Sequence, residues 1–232
     1  MQFRHTNVIH WNPVTAVDFF NKWAIDEIVL LDVSRNLKKR QKFLDAVDGL
    51  SKKCFVPLTV GGWIRNPDEA RTLLHLGAEK LAINTEAHRN PDLIRECARL
   101  FGSQCVVASI DVKANEDGSF EVYIDRGAEP TGADPMEWAR KVQDLGAGEI
   151  FLNCIDKDGF RQGYHLDLLQ NVVNAVDIPV IAMGGVFKWQ DLVDGILIGQ
   201  ADAVAAANIF HYTEHSTKKA KEFMRSCGID VR

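Results

Sequence analysis

The chain repeats itself at a spacing of 122 residues. The segment from EIVLLD at 27–32 through VPLTVGG to LAINT at 81–85 matches the segment from EIFLNC at 149–154 through IPVIAMGG to AAAN at 205–208. Glu27 and Glu149, Pro57 and Pro179, and Gly77 and Gly199 are each 122 apart. One extra residue before the second glycine pair then sets Gly61-Gly62 against Gly184-Gly185 and Ala78 against Ala201. A period this long exceeds that of any solenoid and is close to the length of four strand–helix units. Two copies specify an α/β fold, a (β/α)8 TIM barrel built from two duplicated half-barrels. The second half opens with the apolar run at 105–110, ending in Asp111, and subtracting the period puts its counterpart at about positions −17 to −11, before Met1. The first strand of the barrel is therefore expected to be missing from this chain and to lie upstream of it.

A chain of 232 residues, 46% apolar and 25% charged, can bury one large core, so a single domain over 1–232 is expected. The net charge of −5 argues against a nucleic-acid surface, which needs clustered lysine and arginine. The one basic run, Lys38-Lys39-Arg40, reads as the solvated start of a helix. The five cysteines, Cys54, Cys97, Cys105, Cys154 and Cys227, are an odd number without close spacing. They read as reduced core residues and not as metal ligands or a disulfide framework. The beginning, MQFRHTNVIHWNP, lacks a basic-then-apolar signal pattern, and no apolar stretch reaches about 18 residues. A soluble cytoplasmic protein without metal, cofactor or membrane contact is expected.

Short β-rich runs alternate with helical patterns, the order of parallel βαβ units. Strands are predicted near 27–32, 55–60, 79–83, 105–110, 149–153, 179–182 and 202–206. Helices are predicted over 13–23, 40–52, 67–76, 91–101, 135–145, 167–175, 189–198 and 217–227. Asn66-Pro67, Asn90-Pro91 and Asp134-Pro135 each place a polar cap before a proline that has no N–H to lose in a first turn. The stretch 111–131, with a turn at 115–118, reads as an inserted β-hairpin.

Function in this fold collects at the C-terminal ends of the strands. Those ends carry Asp32; Gly61-Gly62; Asn84-Thr85; Asp111; Asn153 with Asp156, Asp158 and Gly159; Gly184-Gly185; and Ala207-Asn208. Glycine lets backbone N–H groups approach an anion, so each glycine pair suits a phosphate, and two such cradles suit a ligand phosphorylated at both ends. The alternative is that both pairs only make tight turns. Asp111 ends an apolar strand, where a carboxylate is costly without a partner or a task. It reads as a general acid or base, or as an anchor for the hairpin. Asp32 is its analogue on an earlier strand and reads equally as structural. Asp158-Gly159 is either an ordinary turn or a ligand contact.

In combination, DEIVLLD, VPLTVGGWIR, LGAEKLAIN, FGSQCVVASIDVK, LGAGEIFLNCIDKDG with the following GY, IPVIAMGG and ADAVAAANIFHY resemble the cyclase subunit of imidazole glycerol phosphate synthase over nearly the whole chain. The sister isomerase of histidine biosynthesis is a more distant relative. The resemblance implies a two-protein enzyme. A glutaminase partner at the N-terminal barrel face releases ammonia, which passes through the barrel to a bisphosphorylated ribulosyl substrate and closes an imidazole ring. It implies two catalytic aspartates, of which Asp111 matches one and the other falls before Met1, so the 232 residues by themselves are expected to show little or no ring closure. It further implies phosphate contacts at Gly62, Asn84 and Thr85 for one site, and at Asp158, Gly159, Gly185, Ala207 and Asn208, beside Gly184, for the other. Glu27, Lys80 and Glu149 match three members of a charged ring that gates ammonia. The other reading of these three is ion pairing at strand starts.

The chain departs from the family at the ligand face. Trp63 replaces a glycine, Asn153 a threonine, Met183 a serine and Asn208 a serine, while the charges at the other end are kept. That asymmetry leaves a second possibility, a paralogue that conducts ammonia to an amidotransferase in amidino-sugar synthesis for surface polysaccharides.

Overall fold

The computed structural model describes residues 13–34, 36–210 and 215–232. The expected first strand and the last two residues of the ADAVAAANIFHY stretch lie outside them. Nine strands are seen among the described residues: β1 (Ile28–Leu31), β2 (Leu58–Gly61), β3 (Lys80–Ile83), β4 (Val106–Ala114), β5 (Phe120–Ile124), β6 (Glu129–Pro130), β7 (Glu149–Cys154), β8 (Val180–Met183) and β9 (Ala203–Val204). Seven of them form one parallel path in the order β1-β2-β3-β4-β7-β8-β9, with β5 and β6 attached to β4 as an antiparallel hairpin. The helices are α1 (Pro13–Lys22), α2 (Arg40–Ser51), α3 (Pro67–His75), α4 (Thr85–Arg89), α5 (Asp92–Phe101), α6 (Pro135–Asp144), α7 (Leu166–Val173), α8 (Trp189–Leu197) and α9 (Ser216–Ser226).

Alternation along the strands separates two apolar layers. Val60, Leu81, Val106, Ile110, Ile150 and Val180 pack outward against Leu50, Leu73, Ile94, Val142 and Leu168 of the helices. Ala82, Val107 and Phe151 point the other way, where Val29 of β1 and Ile181 of β8 join them. Side chains from strands this far apart in the sheet can meet only if it curls into an α/β barrel. Among the described residues no ladder joins β1 to β9, but the helical layer returns to its start. The Thr217 hydroxyl of α9 donates to the Trp23 carbonyl, and Lys221 Nζ lies 2.7 Å from Asp26 Oδ1, just before β1.

Local chemistry explains most boundaries. Asn66 and Asp134 cap α3 and α6, each accepting two backbone N–H groups ahead of a first-turn proline. Asn90-Pro91 behaves differently. A short helix, α4, precedes it, and Asn90 closes that helix by donating to the Glu86 carbonyl. β2 starts at Leu58 and not at 55, since Phe55 is 86% exposed and outside the ladder. β4 runs past Ile110 to Ala114 because its end pairs with both β5 and β7. The expected turn at 115–118 is present, with the Asn115 N–H donating to the Ser119 carbonyl at 2.8 Å. All five cysteines are free thiols, and Cys97 and Cys154 are buried.

Candidate functional site

Three levels stack along the barrel axis. At the N-terminal ends of the strands, Lys80 of β3 reaches in both directions. Its Nζ lies 3.0 Å from Glu27 Oε2 beside β1 and 2.7 Å from Glu149 Oε1 of β7. Burial alone would lower the lysine pKa, but the hydrogen bonds that Lys80 donates to Glu149 and Glu27, with their negative charge, outweigh it and hold the pKa above its ordinary range. Glu149 Oε2 is buried without a hydrogen-bond partner. Above this triad lies a mainly apolar layer that includes Val29, Ala82, Val107, Phe151 and Ile181, with Thr59 as a buried polar neighbour. The third level, at the C-terminal ends, is polar.

That level opens into a cavity of about 220 Å³. It gathers Asp32, Gly62, Asn84, Thr85, Asp111 and Asn153 from five strand ends, along with Ser34, Trp63, Ser109, Arg126 and Met183. Asp111, only 5% exposed, accepts a hydrogen bond from Asn153 Nδ2 at 3.0 Å. Burial is the main cause that pushes its pKa up, to about 6; hydrogen bonds from Asn153 and Asn84 pull the other way, and the charge of Asp158 adds to the rise. A carboxyl with a pKa this close to neutrality can both give and take a proton under working conditions, as acid–base catalysis requires. The side-chain oxygen of Asn153 has no partner and is buried.

The first glycine turn lies at the cavity wall. Gly62 has φ +105°, and a Cβ there would stand 2.5 Å from the Asp32 carbonyl oxygen. Its own carbonyl accepts from Arg40 Nη1 at 3.0 Å. Arg40 is thus more than part of a solvated helix start, because it braces this turn from behind. The next residue, Trp63, keeps φ +57°, a left-handed geometry that glycine adopts without strain. Gly62→Ala is expected to cost about 3 kcal/mol through strain and collision together, read as a lower urea midpoint with an unchanged slope.

The second glycine turn is covered. A Cβ on Gly185 would come within 2.1 Å of the Gly163 carbonyl oxygen, and the Gly163 N–H donates to the Gly185 carbonyl at 2.9 Å. Among the described side chains, those of Asp158 and Ala207 do not line the cavity, nor do Gly159, Gly184 and Gly185. Asp158 stands close enough to Asp111 to affect its charge, and its own carboxyl is raised by burial. Asn208 begins a 3-10 turn at Asn208–Phe210.

Thr85 has two connections: it opens α4, and its hydroxyl accepts the Asp125 N–H at 3.0 Å, tying the hairpin to the cavity rim. Arg126, Ser34 and Ser109 are cavity residues that the sequence reading did not single out. Arg126 is hard to foresee because it follows a hairpin strand, in a turn that carries no periodic signal.

The fold and site define the class as an α/β barrel with a buried carboxyl of raised pKa lining a C-terminal cavity and a charged triad at the opposite end. The chain belongs to the histidine biosynthesis protein family, whose match covers residues 2–216. It is similar to the imidazole glycerol phosphate synthase subunit HisF of Alkaliphilus metalliredigens (strain QYMF), with 44% identity over 221 residues, which are 95% of this chain and 88% of that protein.

Proposed function

We propose that the protein is the ring-closing subunit of an imidazole glycerol phosphate synthase, using ammonia from a glutaminase partner to close the imidazole ring on a bisphosphorylated ribulosyl substrate. The observation that carries this reading is Asp111, buried at the floor of the cavity with a pKa near about 6. Nitrogen addition to a carbonyl and the ring closure that follows both need protons moved at the reacting atoms. In this reading Asp111 moves them while Asn153 and Asn84 hold its carboxyl in place. In the same reading one phosphate binds in the cavity at Gly62, Asn84 and Thr85, and the other binds outside it, at Asp158, Gly159, Gly185, Ala207 and Asn208.

The apolar level between the triad and the mouth supports the delivery of ammonia. A neutral molecule crosses such a layer at little cost, whereas ammonium would lose its hydration there. Lys80, Glu27 and Glu149 then form the entrance, on the face that also presents the exposed Phe55. The test is an assay with the bisphosphorylated substrate and ammonium salts, using the wild-type protein with any native segment that precedes Met1, beside Asp111→Asn. Turnover that depends on Asp111 is the expected result.

A second reading rests on Trp63, which stands in left-handed backbone beside the first cradle while the triad remains joined. Here the protein conducts ammonia to a sugar amidotransferase and closes no ring. Its expected outcome is glutaminase-coupled transfer of nitrogen to an amidotransferase, with the bisphosphorylated substrate left unchanged.

A further inference from the structure

Four residues that line the cavity carry a buried polar atom without a hydrogen-bond partner: Asn153 Oδ1 beside Asp111, and, away from it, Arg126 Nη1, Asp32 Oδ2 and Ser34 Oγ. Buried polar groups are nearly always paired, so the last three, on residues that line one wall, suit that wall to a polar ligand. Their neighbours leave these atoms open. Asp32 Oδ1 accepts the Ser34 N–H at 2.9 Å, which leaves Oδ2 for something else. Asp125 Oδ1 takes Arg126 Nε at 3.1 Å and also Nη2, so only Nη1 remains.

The backbone holding Arg126 is strained. Asp125, Arg126 and Gly127 follow one another with φ of +46°, +60° and +72°, and the first two are not glycine. Such strain persists where the surroundings enforce it, commonly at a ligand contact. The enforcing contact here is the Thr85 hydroxyl on the Asp125 N–H, which fastens the turn to the first cradle. The cradle's own groups, Gly62, Asn84 and Thr85, are neutral. Of the other arginines at the cavity, Arg65 is paired with Glu69 and Arg89 with Glu129. Among the described residues at this wall, Arg126 is therefore the cation whose unpartnered nitrogen is buried.

We propose that Arg126, Asp32 and Ser34 form a subsite for a phosphorylated polyol beside the first cradle. Arg126 Nη1 donates to a phosphoryl oxygen, and Asp32 Oδ2 with Ser34 Oγ binds a neighbouring sugar hydroxyl. Guanidinium suits phosphate through planar, charge-assisted hydrogen bonds, and a carboxylate oxygen suits a hydroxyl because it can only accept. The subsite rests on the phosphorylated-ligand reading above and adds the groups that supply charge and hydroxyl selectivity.

Titration with ribose 5-phosphate and with inorganic phosphate, followed at the backbone amides of Asn84 and Thr85, tests it. Arg126→Gln is expected to weaken both ligands by about 10- to 100-fold. Arg126→Lys, which keeps the charge and disturbs the turn least, should fall between it and the wild type. Asp32→Asn should weaken ribose 5-phosphate about tenfold and cause no loss for inorganic phosphate. Thermal melting of each variant separates loss of binding from loss of fold. Wild-type binding with unchanged affinity in both Arg126 variants, or equal losses for the two ligands in Asp32→Asn, overturns the subsite alone. No binding of either ligand by the wild type overturns the phosphate reading along with it.

Discussion

Replacing Asp111 by asparagine is expected to lower ammonium-supported ring closure by about 10²- to 10⁴-fold and to leave ligand affinity nearly unchanged. The amide keeps the shape of the carboxyl and its acceptor for Asn153 Nδ2 but cannot exchange a proton. The same change should make the protein more stable at neutral pH, by about 2–3 kcal/mol. The carboxyl titrates at its ordinary 3.8 when unfolded and at about 6 when folded, chiefly because burial penalises its charge. Between those values the folded state holds the proton more tightly, so the wild type loses stability as pH rises through the window and stays lower above it. Urea unfolding should show the two proteins alike near pH 3.5 and the variant ahead at pH 7. A variant that is inactive and also less stable at pH 7 would mark Asp111 as a hairpin anchor.

Removing the lysine of the triad is expected to have an equally selective effect at the opposite end. Lys80→Ala leaves Glu27 and Glu149 facing each other without their shared cation, and Glu149 already has one oxygen unpartnered. Breaking a buried pair costs several kcal/mol, but the triad is 16%, 19% and 37% exposed at Lys80, Glu149 and Glu27, so screening brings the expected loss to about 1–3 kcal/mol. In function, most glutamine-dependent turnover should be lost while turnover with added ammonium survives. Equal loss with both nitrogen sources would make Lys80 a stability residue only.

Much of the barrel is legible in the sequence because its causes are local and repeat. The 122-residue spacing orders the units, the alternating runs mark the seven parallel strands, and Asn66-Pro67 and Asp134-Pro135 announce two helix starts. What escapes depends on contacts between distant segments. Five-residue α4 is too short to show a helical period, so Asn90 looked like an N-cap when it closes the preceding turn. Arg40 looked like one of a solvated basic run, and its bond to the Gly62 carbonyl spans 22 residues. Asp111 was legible as a carboxylate at the end of an apolar strand. Arg126 was not, since its role comes from a strained turn held by Thr85. The two glycine pairs, equivalent in sequence, differ in space: Gly62 borders the cavity and Gly185 lies under the Gly163 carbonyl.

The most direct test of the central claim is the consumption of the bisphosphorylated ribulosyl substrate with ammonium chloride as the nitrogen source, in wild type and Asp111→Asn under the same conditions. The expected result is turnover by the wild type and near-complete loss in the variant, with substrate bound by both. Substrate bound by both and converted by neither, or converted equally by both, would contradict a ring-closing role for Asp111.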